Sequence, residues 1–66
     1  MNIKDLIKEK GYNVEGIAAE TGINYATMYR RFQTGDFKRS EILKLAKVLN
    51  MTGYDILAYF FNEIIA

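Results

Sequence analysis

Apolar residues recur along this 66-residue chain at three- and four-residue intervals and nowhere alternate strictly with polar ones. The pattern predicts helices throughout and no sheet. A first helix runs from about Ile3 to Lys10, with Asn2 as its N-cap, Asp5 near its positive end, and Ile3, Leu6 and Ile7 as its buried stripe; Gly11 ends it. A second runs from about Val14 to Thr21 behind the cap Asn13, with Val14, Ile17 and Ala18 facing inward and Gly22 closing it. Ile23 plugs the corner that follows. Asn24 then caps a third helix, about Tyr25 to Gln33, whose inward pair is Met28 and Phe32, and Gly35 ends it. Beyond the loop Asp36-Phe37-Lys38-Arg39, Ser40 caps a fourth helix, about Glu41 to Leu49, with Ile42, Leu45, Ala46, Val48 and Leu49 mostly inside. Thr52 and Asp55 make a capping box for a fifth helix, which starts near Gly53 and carries Ile56, Leu57, Tyr59, Phe60, Phe61, Ile64 and Ile65.

The expected fold is all-α, a compact bundle of five helices in one domain. Its most informative part is Ile17 to Phe32: a short helix, a glycine corner, and a second helix. Ala18 is small where the two helices press together. With Met28 and Phe32 at the centre of the buried side, a turn of about 100° per residue puts Ala26, Arg30 and Gln33 opposite and Thr27 beside them. Tyr25 stands in the first turn. This is the form of a helix-turn-helix that lays its second helix in the major groove of duplex DNA. Arginine bonds guanine bidentately, glutamine does the same to adenine, and alanine or threonine touches a thymine methyl. Tyrosine bonds a phosphate or packs on a sugar or base edge, and Asn24 has a donor left for phosphate while it caps.

Net charge is only +1, but it is unevenly placed. Arg30, Arg31, Lys38 and Arg39 face a single acid, Asp36, between Asn24 and Arg39. Lys38 and Arg39 also precede a capped helix end, a natural anion site. The chain has neither cysteine nor histidine. Disulfides, Cys/His zinc sites, thiol nucleophiles and the usual general base are thereby excluded. No paired carboxylates, nucleophile elbow or phosphate-cradling glycine loop is visible, so neither an enzyme nor a cofactor is expected. No signal-peptide pattern is found. The apolar tail from Ile56 to Ala66 falls short of the ~20 apolar residues a membrane span needs.

On these residues, Val14 to Leu57 resembles the phage repressor/Cro-type helix-turn-helix family. The family's small residue falls on Ala18, its turn glycine on Gly22, its N-cap on Asn24 and the apolar residue of its recognition helix on Met28. The run Glu41 to Leu49 resembles its fourth helix. Departures are Val14 where the family often has glutamine, Arg31 where it has an apolar residue, and a short loop after Gly35. The resemblance implies groove docking and two-fold DNA binding. It implies base contacts by Tyr25, Ala26, Thr27 and Arg30, and phosphate contacts by Asn13, Asn24, Lys38, Arg39 and Ser40. It also implies a cytoplasmic, nucleoid-associated protein.

Blander readings stand beside these. Surface arginines usually just meet water. Arg31, nearer the core edge, divides between a phosphate contact and pairing with a neighbouring acid. Tyr25 and Tyr29 have packing as their blander reading, with hydroxyls reaching water; Tyr25 is expected on DNA and Tyr29 in packing. Lys4, Lys8, Lys44 and Lys47 are expected to be solvated. A fifth helix completing the core accounts for Ile56, Leu57 and Phe60 but strains to bury Tyr59, Phe61, Ile64 and Ile65 too. Residues 54–66 are therefore expected to form a homodimer interface through Tyr59, Phe60, Phe61, Ile64 and Ile65. The alternative is a protein-interaction module of antitoxin or anti-repressor type that holds a protein partner through this tail. Truncation from a longer protein is a further option.

Overall fold

A computed structural model describes residues 2–62. They form five helices and no strand: α1 (Ile3–Glu9), α2 (Val14–Thr21), α3 (Tyr25–Thr34), α4 (Arg39–Leu49) and α5 (Gly53–Phe60). The asparagine caps read from the sequence are in place. Asn2 Oδ1 accepts the Lys4 N–H at 2.8 Å, and Asn13 Oδ1 accepts that of Gly16 at 2.8 Å. Asn24 Oδ1 takes two, from Ala26 at 2.9 Å and Thr27 at 3.3 Å. Each satisfies donors that the first helical turn leaves without partners.

The α2–α3 corner is set by two residues. Gly22 lies at φ +73°, the left-handed region that side chains with a Cβ occupy only at a cost. Thr21 Oγ1 donates back to the Ile17 carbonyl at 2.8 Å, with Ala18 a second acceptor at 3.2 Å, and accepts the Ile23 N–H at 3.4 Å. One hydroxyl thus ties the last turn of α2 to the corner. At the far end of α4, Asn50 takes φ +55°, and the Met51 N–H returns to the Ala46 carbonyl at 2.9 Å. That is a Schellman closure with asparagine in place of glycine.

Helix α4 begins two residues earlier than the serine cap predicts. Its N-cap is Lys38, not Ser40, which sits exposed in the first turn. The cause is Glu41, whose Oε1 reaches back to the Lys38 N–H at 2.8 Å. This is the acidic half of a capping box, formed without its usual serine or threonine partner. The Thr52–Asp55 box at α5 is complete, at 3.1 and 3.0 Å.

The core gathers Ile3, Leu6 and Ile7 from α1, Ile17 and Ala18 from α2, Met28 and Phe32 from α3, and Leu45 and Leu49 from α4. Ile17, Met28, Leu45 and Leu49 are fully buried. Phe37 in the α3–α4 loop packs edge-on against Phe32 at 5.3 Å and against Phe60 at 5.2 Å between ring centroids. The loop is thereby pinned to both α3 and α5.

The tail divides differently from expectation. Phe60 packs against the core as a completing fifth helix requires, but Tyr59 does so too, Ala58 is buried, and Leu57 is 41% exposed. The reason is rotational: the stripe of α5 that meets the bundle runs through Ala58, so Leu57 turns outward. Helix α5 ends at Phe60, and Phe61 is half-buried beyond it. Ile64 and Ile65 lie outside the described residues.

Candidate nucleic-acid interface

Helix α3 has two unlike sides. Met28 and Phe32 are buried, whereas Tyr25, Ala26, Tyr29, Arg30 and Gln33 are exposed and Thr27 is half-buried. The exposed side therefore carries every base-contact candidate from the sequence except Thr27, which sits at its edge. No Asp or Glu occurs between Tyr25 and Thr34. The helix offers an anionic partner cations and amide donors with no competing carboxylate of its own.

The two caps flanking the corner add donors. Asn13 and Asn24 spend Oδ1 on backbone N–H groups, so each has its amide NH₂ left to give outward. Both side chains are exposed. Between them, Glu15, Ala18, Ala19, Gly22, Ile23, Asn24 and Tyr25 line a notch of about 560 Å³ where α2 meets the start of α3.

Arg31 stands apart from Arg30. Its Nε donates to Glu41 Oε1 at 2.8 Å, and the two side chains are only 16% and 10% exposed. Of its two expected roles, internal pairing is the one the fold displays, and Nε is not free for a phosphate. Burial pushes the Glu41 carboxyl up. The Arg31 hydrogen bond, the Lys38 N–H and the charges of Arg31 and Lys38 outweigh that, so the group lies below its ordinary value.

Lys38, Arg39 and Ser40 are exposed together at the start of α4. The Lys38 N–H is already bonded to Glu41, so a phosphate there meets the side chains of this loop and the remaining first-turn amides. Sequence reasoning missed Phe37 as the anchor of this loop and Glu41 as its brace. A lone aromatic in a polar loop and a glutamate three residues after the true cap were the signals. It also placed Tyr29 in packing. Tyr29 is instead 48% exposed, as is Tyr25, and the two rings stack on each other with centroids 6.2 Å apart.

A family model for the Cro/C1-type HTH DNA-binding domain matches residues 2–62. The chain belongs to this family. No curated protein and no solved structure matches it. The match spans the described residues, so all five helices belong to the Cro/C1-type unit, α5 included. In this chain α2, the Gly22 corner and α3 have the helix-turn-helix form. Among the described residues no helix is long and apolar enough to cross a membrane.

Proposed function

We propose that this Cro/C1-type domain is a sequence-specific transcriptional regulator, a repressor, that reads duplex DNA as a homodimer in the cytoplasm. The observation that carries the reading is the exposed side of α3, free of acids and backed by Met28 and Phe32 in the core. Arg30 bonds a guanine and Gln33 an adenine; Ala26 and Thr27 meet thymine methyls, and Tyr25 meets a base edge or sugar. Asn13, Asn24, Lys38, Arg39 and Ser40 hold phosphates on either side. Arg31 reaches a phosphate only through its terminal nitrogens.

The homodimer reading is supported by apolar surface on α4 and α5. Leu43 is 50% exposed and Tyr54 65% exposed. Phe37, Arg39, Ile42, Leu43, Ile56 and Phe61 line a depression of about 480 Å³. Tyr59 and Phe60 contribute the part of each ring not packed on their own core. Two copies then read half-sites about 34 Å apart.

Selection of bound duplexes from a random library tests this. A symmetric consensus is expected. Arg30→Ala should relax preference at one position and cost about 1–3 kcal/mol on the selected site. Unchanged affinity for Arg30→Ala overturns the recognition assignment. Failure to select any duplex at low salt favours the interaction module, with the apolar depression taking a protein partner.

A further inference from the structure

Tyr25 and Tyr29 sit one helical turn apart on α3, each 48% exposed, with ring centroids 6.2 Å apart and planes 29° from parallel. Phe32, Phe37 and Phe60 interlock edge-on inside the fold, and Tyr54 on α5 is the other exposed ring, far along the chain from this pair. The tyrosine pair is left in solvent, and neither hydroxyl is hydrogen-bonded among the described residues. An i, i+4 aromatic pair steadies a helix only slightly. That small gain does not account for two large rings kept wet.

Their place on the helix says what they meet. At about 100° per residue, Tyr25, Tyr29 and Gln33 form one row along the exposed side, and Ala26 and Arg30 form the next. The pair is therefore part of the same surface as the guanine-reading candidate. Helix α3 carries no carboxylate of its own from Tyr25 to Thr34, which favours a polyanion over a second protein surface. A tyrosine ring has no hydrogen bond to offer from its face or edge carbons. Among base edges in the major groove, its apolar counterpart is the 5-methyl group of thymine.

We propose that Tyr29, stacked on Tyr25, is a specificity-determining residue that packs on a thymine 5-methyl in the major groove. This rests on the reading that α3 enters that groove. Tyr25 holds the ring of Tyr29 in place through their stack, so the methyl meets an ordered surface rather than a free rotor. The contact adds a base preference beside the one Arg30 supplies.

The test uses the full chain and the duplex selected with it. Each thymine of the half-site is replaced in turn by deoxyuridine, which removes the methyl and nothing else. For the unmodified chain at least one replacement should weaken binding about three- to fourfold, the loss of one buried methyl. Tyr29→Phe should keep that ratio. Tyr29→Ala and Tyr29→Gln should bring it close to one, with helicity retained because the side chain lies outside the core. Arg30→Ala should relax a guanine position and leave the thymine ratio intact. A selected half-site with no thymine, or the same thymine-to-deoxyuridine ratios in Tyr29→Ala as in the unmodified chain, overturns the proposal while groove reading by Arg30 stands. Failure to select any duplex removes groove reading itself, and this proposal with it.

Discussion

Arg31 on α3 and Glu41 on α4 are joined at 2.8 Å, and the same carboxylate oxygen that takes the Arg31 Nε–H also takes the Lys38 backbone N–H. One atom therefore ties α3 to the start of α4, the helix that follows the basic loop. Both side chains are largely withdrawn from water, so the pair is screened less than an ion pair on an open surface.

Glu41→Ala leaves a partly buried guanidinium and a helix-end N–H without their acceptor. The expected loss is about 1–3 kcal/mol of folding free energy. Glu41→Gln keeps an acceptor for both donors and should lose less. Urea unfolding of the three proteins, read by circular dichroism, checks the order.

The pH dependence of stability follows from the same group. Glu41 is held below its ordinary value in the folded chain, so the unfolded chain takes up the proton first as pH falls. Its contribution is complete above the unfolded glutamate value of about 4.3 and is lost as pH drops through the lower folded value. Thermal midpoints measured between pH 6 and pH 3 should fall more steeply for the unmodified chain than for Glu41→Gln. Equal slopes would mean that the pair adds nothing across this range.

Gly22→Ala isolates the cost of the corner. A Cβ built at Gly22 meets nothing within 4 Å, so the penalty is backbone strain alone at φ +73°. A loss of about 1 kcal/mol is expected, which lowers Tm by roughly 4–8 °C in a domain of this size. A scanning calorimeter reads it directly, and an unchanged midpoint would show the corner re-forming with another residue in the left-handed region.

Phe37→Ala and Lys38→Ala separate the anchor of the loop from its charge. Removing Phe37 deletes both edge-on ring contacts and should cost about 1.5–3 kcal/mol. Lys38→Ala should leave stability nearly unchanged, weaken binding to all duplexes alike, and reduce the log–log salt slope by about one. Affinity measured from 50 to 300 mM salt distinguishes the two substitutions.

Much of this architecture was legible because it is local. Asn2, Asn13, Asn24 and the Thr52–Asp55 box declare helix starts through a side chain two or three residues from its partner. The buried pair Met28–Phe32 follows from spacing alone. What escaped needs a third dimension. Ser40 has the right chemistry for a cap and was displaced by Glu41, which also satisfies Arg31 from another helix. Asn50 gives a left-handed closure less openly than glycine does. Phe37 looks like a stray loop residue until Phe32 and Phe60 are placed on either side of it. On α5, composition could not reveal which apolar residues turn outward, and Leu57 exchanged places with Tyr59.

On the proposed role of Lys38 and Arg39 as phosphate contacts, the strapping of the α3–α4 loop bears on affinity as well as on folding. Phe37 is clasped by two rings, and the amide of Lys38 is clasped by a carboxylate one turn along. The backbone that presents Lys38 and Arg39 is thus ordered before any phosphate arrives. Docking then forfeits mainly the rotamer freedom of long side chains, and little entropy of the main chain.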